Sequence, residues 1–241
     1  MGSNYSYVVE RLLMYRNKIG KTQTQMSQMF GVTQGHYAKL ESGTKIISYQ
    51  SLKCFEKHNG DIHFLLTGSA AREGKINEIM SACKTAEGKK WLFESLVWIF
   101  DKSFRFNLQN QAALSQRTYK CLRLLEIVNK NNTIWECIRK NENLSQIKMA
   151  EIFDIDVKRY RRIEKLLVVP DAEILNTLYC ELQYSPFVII NQELYFLDEL
   201  NQAWDGFPAS VKEQITPLLQ EVLAFIQSYE TSAHSPCPFR F

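Results

Sequence analysis

The sequence has no apolar run long enough to cross a lipid bilayer, which takes about 20 residues in a helix. Its most apolar stretch, WLFESLVWIF at 91–100, is too short and is interrupted by a glutamate. No apolar segment follows a basic stretch at the N-terminal end, as a secretory signal would require. These absences predict a soluble, cytoplasmic protein.

Motifs of catalysis and metal binding are also missing. The sequence has no G-x-S-x-G, P-loop, G-x-G-x-x-G or H-E-x-x-H pattern. The four histidines are not spaced from one another or from other ligands as in a metal site. Two of them, His58 and His63, are expected in a surface loop between the fourth and fifth helices. No C-x-x-C pair occurs among the cysteines, which are Cys54, Cys83, Cys121, Cys137, Cys180 and Cys237. We therefore expect free thiols, no metal, no cofactor and no enzymatic activity.

Charge is distributed unevenly along the chain. The formal net charge is +3, but residues 1–115 carry +6, residues 116–165 carry +5 and residues 166–241 carry −8. A basic surface attracts polyanions, so the first two segments favour a polyanionic partner. We expect the acidic end to face away from that partner.

Apolar residues recur at helical spacings of three and four, and alternating strand-like runs are scarce. Helix starts are indicated at Thr22, whose Gln25 completes a capping box, and at Thr33 and Ser48. Gly31 falls where a tight turn between two helices needs a left-handed residue. The sequence therefore predicts an all-α fold, with four short helices and a fifth at DIHFLL in its first 68 residues.

Two stretches of the chain are similar in residue type and order. QMFGVTQGHYAKLESG covers 28–43, and EIFDIDVKRYRRIEKL follows at an offset of 123 residues, from Tyr37 to Tyr160. An internal repeat explains this match better than chance. Arg16 and Glu41 are 25 positions apart, and so are Arg139 and Glu164, which predicts one ion pair in each repeat.

The first repeat resembles the Cro and phage-repressor type (XRE) helix-turn-helix family. The resemblance rests on these residues and runs: Arg16, Thr22, Gln23, Ser27, Phe30, Gly31, Val32, Tyr37, Leu40, Glu41, Gly43, Leu52 and LLTG. The second repeat matches it at Arg139, Ser145, Gln146, Ala150, Phe153, Ile155, Tyr160, Ile163, Glu164, Asp171 and Leu175. This resemblance implies two lambda-repressor-like helix-turn-helix units with additional packing helices.

The second repeat departs from the family pattern at two glycines. Asp154 replaces the turn glycine, which aspartate tolerates better than most residues. Lys165 is expected to replace the second glycine, which the family pattern has after the residue equivalent to Glu164. We therefore expect the helix after Lys165 to leave at a different angle.

Base and phosphate contacts are implied for the second and third helices of each repeat. In the family, the third helix lies in the major groove of DNA. The residues that we expect to contact double-stranded DNA are Gln23, Thr33, Gln34, Gly35, His36, Lys39 and Lys45 in the first repeat, and Gln146, Lys158, Arg159, Arg161 and Arg162 in the second.

Four segments are expected: a DNA-binding unit at 1–68, a helical packing segment at 69–131, a divergent second unit at 132–190 and an acidic helical segment at 191–241. Aromatic residues crowd the second segment between Trp91 and Phe106. Leu219, Val222, Leu223 and Ile226 loosely match Phe93, Leu96, Val97 and Phe100, as if the trailing helices were duplicated too. These helices form either the core that joins the two halves, or a homodimer interface or ligand pocket.

We expect a sequence-specific DNA-binding transcription regulator that uses two different recognition helices. The alternative is an interaction adaptor or an antitoxin, in which one or both helix-turn-helix units no longer read DNA. A single chain carrying both helices could act as its own pseudo-dimer on an asymmetric site. Dimerisation through the 69–131 and 191–230 helices would instead favour a longer, symmetric site.

Overall fold

The computed structural model describes residues 5–69, 74–106, 116–127 and 132–232, with the backbone alone at 104–106, 116–118, 125 and 126. Fifteen α-helices and no strand occur within these ranges, which confirms the all-α fold. None of these helices is both long and apolar enough to cross a membrane. The cysteines in the described ranges are free thiols, and Cys237 lies outside those ranges.

The helices occur in the same order in the two halves of the chain. The first half contains α1 (Tyr5–Lys18), α2 (Gln23–Phe30), α3 (Gln34–Glu41), α4 (Tyr49–Lys57), α5 (Ile62–Thr67), α6 (Lys75–Ser81) and α7 (Ala86–Phe106). The connecting helix is α8 (Gln116–Ile127). The second half contains α9 (Ile134–Asn141), α10 (Gln146–Ile152), α11 (Val157–Glu164), α12 (Ala172–Leu182), α13 (Phe187–Ile190), α14 (Gln192–Gly206) and α15 (Ala209–Ser232).

Helix starts repeat at the offset of 123 residues. The offset relates α2 to α10, α3 to α11, α4 to α12 and, beyond the repeated motif, α7 to α15. Our match of residues 93–100 to 219–226 implied an offset of 126, so that register is wrong by three residues. The corresponding helix caps also agree, because Thr22, Thr33 and Ser48 recur as Ser145, Asp156 and Asp171, each accepting from the backbone amide three residues on.

The chain divides into two compact units, each made of parts of both halves. The first, which we call the repeat unit, combines residues 1–71 with 123–195 and so contains both repeats. The second, the aromatic unit, combines residues 72–122 with 196–241.

The two repeats share one core within the repeat unit. In the first repeat, α4 packs on α2, and the rings of Phe30 and Phe55 stack with centroids 4.4 Å apart. In the second repeat, α12 packs instead on α1 and α5 of the first repeat. The Ala172 amide donates to the Ile47 carbonyl at 3.0 Å, which joins the start of α12 to the first repeat. This packing ties the two repeats to each other through α12.

His63 belongs to this shared core and not to a surface loop, so the expectation for it is wrong. It lies in α5, is 8% exposed and stacks on Phe187 with ring centroids 5.4 Å apart. Its Nδ1 is 2.5 Å from the Ser69 carbonyl oxygen. His58, in contrast, is exposed at the end of α4, as expected.

The aromatic unit is built around α7 and α15, which pack side by side. Trp91 near the start of α7 contacts Tyr229 near the end of α15, with ring centroids 5.0 Å apart, while Phe100 contacts Phe207, which precedes α15. The two helices are therefore antiparallel. The Glu230 carboxylate accepts hydrogen bonds from the amides of Lys84 and Thr85, which holds the segment that leads into α7 against the end of α15.

Candidate nucleic-acid interface

The turn of the first repeat is built by two helix caps and one glycine. Thr22 and Gln25 form the predicted capping box at the start of α2. Gly31 ends α2 with φ of 66°, and a Cβ at this position would lie 2.9 Å from the Cys54 sulfur. The Thr33 hydroxyl then accepts from the His36 amide and starts α3. Both the backbone angle and the lack of space therefore favour glycine at position 31.

One side of α3 is buried and the other faces solvent. Tyr37 and Leu40 are at most 1% exposed and fix the helix to the core. The predicted contact residues of this repeat are exposed at Thr33, Gln34, Gly35, His36, Lys39 and Lys45, and half-buried at Gln23. A Cβ added at Gly35 would meet no atom within 4 Å, so position 35 opens to solvent.

Glu41, at the end of α3, is the centre of a part-buried hydrogen-bonded cluster. Arg16 Nε donates to Glu41 Oε1 at 2.5 Å, Gln23 Nε2 donates to Oε2 at 2.7 Å and the Tyr37 hydroxyl lies 3.4 Å from Oε1. Gln34 Nε2 in turn donates to Gln23 Oε1 at 3.1 Å. The cluster connects α1, α2 and α3, and it holds the Gln23 amide at the start of α2.

The second repeat contains the same four residue types, centred on its glutamate. Arg139 Nε donates to Glu164 Oε1 at 2.6 Å, and Gln146 Nε2 donates to Glu164 Oε2. The Tyr160 hydroxyl donates to Oε1 at 3.3 Å. The side chain of Glu164 is 7% exposed and that of Arg139 is 18% exposed, close to the values of 8% and 21% for Glu41 and Arg16. Both predicted ion pairs are therefore present and part-buried.

The two buried tyrosines are held neutral by their surroundings. Burial raises the pKa of Tyr37, and the negative charge of Glu41 raises it further. Burial and then the charge of Glu164 do the same to the pKa of Tyr160. Each hydroxyl therefore remains a hydrogen-bond donor to its glutamate in neutral and mildly alkaline solution.

The outward side of α11 is basic, but its cations differ in how they are engaged. Arg159 donates to Asp171 at 2.9 Å, and Arg161 Nε donates to Gln146 Oε1 at 3.0 Å. Lys158 and Arg162 are exposed and form no ion pair with any residue of the described chain. Two of the four predicted cations on this helix therefore have their charged ends available to a ligand.

Two of the left-handed glycines of the first repeat are replaced in the second by aspartate and leucine. Asp154 takes the place of Gly31 and has φ of 51°, as expected for the turn. The equivalent of Gly43 is Leu166, with φ of 58°, and not Lys165, which ends α11 with φ of −83°. Our assignment of Lys165 to this position is therefore wrong by one residue. Leucine rarely adopts a left-handed conformation, so Leu166 is strained.

Sequence reasoning missed an apolar rim around α11. We use this name for Ile147, Leu166, Leu167 and Val169, which are between 57% and 67% exposed. The equivalent positions in the first repeat hold Thr24, Gly43, Thr44 and Ile46, of which only the last is a large apolar residue, and it is half-buried. The signal was present in the run LLVV at 166–169, which is unusual for a loop that follows a basic helix.

Comparison with known proteins gives one finding for this region. A family model described as helix-turn-helix matches residues 12–53, which contain α2, α3, the second half of α1 and the start of α4. The match does not extend to the second repeat. No curated protein and no solved structure matches the chain. The matched family is a DNA-binding regulatory family of the XRE type, and the match suggests a DNA-binding transcription regulator in general terms.

Proposed function

We propose that the protein is a sequence-specific DNA-binding transcription regulator in which the two repeats present different recognition helices to one DNA duplex. The observation that supports this most is the copying of the whole α2 to α3 arrangement into α10 and α11. Helix lengths that agree to within one residue, the same capped starts and the same glutamate-centred cluster occur in both repeats. In the first repeat this arrangement matches a DNA-binding family.

The two helices carry different groups for base recognition. Glutamine pairs with adenine through two hydrogen bonds, whereas lysine and arginine favour guanine. On α3, Gln34 and Lys39 are exposed, and on α11 Lys158 and Arg162 are exposed. We therefore expect a binding site with two unlike halves, the half under α11 being richer in guanine.

Site selection from a random DNA pool, followed by binding assays on substituted protein, tests this proposal. Arg162→Ala should weaken binding by about 1 to 3 kcal/mol on sites that carry the guanine, and little on sites that lack it. Lys39→Ala should act in the same way on the other half. Lys75→Ala is the control, because Lys75 is an exposed lysine of the aromatic unit that already pairs with Glu78.

The pattern of losses separates three roles for the second repeat. An equal loss on all DNA sequences after Arg162→Ala would mean that Arg162 holds a phosphate and reads no base. No loss of affinity on any DNA sequence would mean that the second repeat does not recognise bases. Protein that selects no sequence from the pool would contradict the proposal as a whole.

Spacing between the two half-sites tests the shared core. Because α12 of the second repeat packs on α1 and α5 of the first, we expect a fixed distance between the two recognition helices. Inserting about half a helical turn, roughly five base pairs, into a selected site should reduce affinity to that of a single half-site. Unchanged affinity would indicate that the two halves bind independently.

The apolar rim supports a second candidate, in which the second repeat docks another protein and the first alone binds DNA. Ile147, Leu166, Leu167 and Val169 are poor partners for phosphates but good anchors in a protein interface. The salt dependence of DNA binding discriminates the two candidates. Contacts from both repeats should give a steep log-log slope, about −0.9 for each phosphate contacted, whereas the adaptor should show a shallower slope.

A further inference from the structure

The helix α15 carries two apolar stripes, and only one of them is buried. Val211, Ile215, Leu219 and Ile226 are each at most 3% exposed. The second stripe consists of Leu218, Val222, Phe225 and Tyr229, at successive spacings of four, three and four residues. Leu218 is 49% exposed, Phe225 67% and Tyr229 49%. Such spacing repeats every seven residues and is typical of a helix that packs against a further helix.

The neighbouring helix α7 continues the same apolar surface. Trp91 and Trp98 lie seven residues apart, and Trp98 is 62% exposed. Together α7 and α15 form a groove of about 700 Å³, lined on one side by Trp91, Trp98 and Ile99 and on the other by Leu218, Val222 and Phe225. A soluble protein rarely leaves a continuous patch of large apolar side chains open to water. The groove is therefore expected to be covered.

We infer that a second copy of this chain covers the groove, so that the α7 and α15 pairs of two copies form a four-helix bundle. An antiparallel helix pair with one buried and one exposed apolar face has the shape of half such a bundle. A two-fold axis then places the same surface on both sides of the contact. The inference concerns the protein without DNA and does not rest on the proposed function.

The charges around the groove fit a copy of the same surface. Glu94 and Glu221 line the groove, and Lys90 approaches Glu94 at 4.0 Å with its side chain 72% exposed. The rim thus carries both signs of charge. A strongly basic or strongly acidic partner would meet like charges there, whereas a two-fold related copy can bring its own lysine to a carboxylate.

The size of the surface indicates which class of interface to expect. With 21 and 24 residues, α7 and α15 are about 31 and 36 Å long at 1.5 Å per residue. Two such helices side by side offer roughly 600 Å² to a partner, so a dimer would bury about 1,200 Å² in total, the lower end of specific interfaces. We therefore expect a reversible dimer that dissociates on dilution.

Sedimentation equilibrium of the full chain, from about 1 to 100 µM, tests the inference. The wild type should change from its monomer mass of 28.1 kDa towards twice that value as concentration rises. Phe225→Glu and Trp98→Glu should each raise the dimer dissociation constant at least tenfold. Leu167→Glu is the matched control, since Leu167 is as exposed as Phe225, at 67%, but lies in the repeat unit.

Circular dichroism checks that each variant remains folded, which we expect because all three positions face solvent. If a glutamate variant does unfold, Phe225→Ala replaces it, and its dimer should also weaken. A wild type that stays monomeric over the whole range would overturn the inference and leave the groove to another ligand. A dimer that survives both aromatic substitutions, or that Leu167→Glu breaks as well, would place the contact elsewhere and overturn it too.

Discussion

Replacing Glu164 by alanine tests whether the glutamate-centred cluster stabilises the second repeat. Its carboxylate is 7% exposed and pairs with Arg139, while also accepting hydrogen bonds from Gln146 and Tyr160. Removing one partner of a buried ion pair costs about 3 to 5 kcal/mol, because the other charge stays buried without compensation. Arg139 is 18% exposed, so water can reach part of its guanidinium and the cost should lie near the lower limit. We expect Glu164→Ala to lower the free energy of unfolding by about 3 kcal/mol.

Two further substitutions make this measurement specific. Glu41→Ala should cost a similar amount, since the side-chain exposures of its pair, 8% and 21%, are nearly the same. Glu151→Ala is the control. Glu151 pairs with Lys148 on the same repeat, but the two side chains are 55% and 62% exposed. An exposed pair of this kind contributes less than about 1 kcal/mol.

Urea unfolding followed by circular dichroism and tryptophan fluorescence gives the free energies. Two compact units can unfold in separate transitions, so the transition of the repeat unit must be resolved first. Trp135 is buried in that unit, whereas Trp91, Trp98 and Trp204 lie in the aromatic unit, so these three are replaced by phenylalanine in the background used for fluorescence. If Glu164→Ala costs no more than Glu151→Ala, the cluster contributes only what a solvated pair does, and our assignment of it as a stabilising centre is refuted.

Four other substitutions have expected outcomes that denaturant or thermal unfolding can check. Gly35→Ala should stabilise by about 0.5 to 1 kcal/mol because a Cβ there meets nothing, whereas Gly31→Ala should destabilise because of its positive φ and the contact with Cys54. Leu166→Gly should stabilise by relieving its φ of 58°, by up to about 1 kcal/mol. The hydrogen bonds from Thr85 lower the pKa of Glu230 in the folded protein. Ionised Glu230 therefore stabilises the fold above the pKa of the unfolded chain, and this stabilisation is lost as pH falls through the lower folded pKa. Glu230→Gln should make the free energy of unfolding depend less on pH in this acidic range.

Local features of the fold could be predicted from the sequence, because they depend on residues close together along the chain. Thr22 with Gln25 and Thr33 predicted helix starts, and the structure has them. The repeated separation of 25 residues between arginine and glutamate predicted both ion pairs. These signals depend on helical periodicity and on the need to cap the first turn, which the chain encodes locally.

Contacts between distant parts of the chain could not be predicted in the same way. Neither the packing of α12 on α1 and α5 nor the burial of His63 against Phe187 has a local signal. The left-handed backbone at Leu166 has no sequence signal, because leucine rarely adopts this conformation and residue type alone does not mark it. The ion pair between Arg159 and Asp171 was not predicted either. Asp171 lies twelve residues further along the chain, at the start of the following helix.

Comparison of the two repeats separates what holds the fold from what faces a partner. Arg16, Gln23, Tyr37 and Glu41 recur with the same residue types as a part-buried cluster, and helix starts recur at the same positions. The outward positions of α3 and α11 differ throughout, and the apolar rim exists in the second repeat alone. Buried groups are constrained by packing and by unpaired charge, whereas exposed groups cost little to change. Two similar inner frameworks with unlike outer faces are therefore what we expect of a chain that contacts two unlike surfaces at a fixed separation.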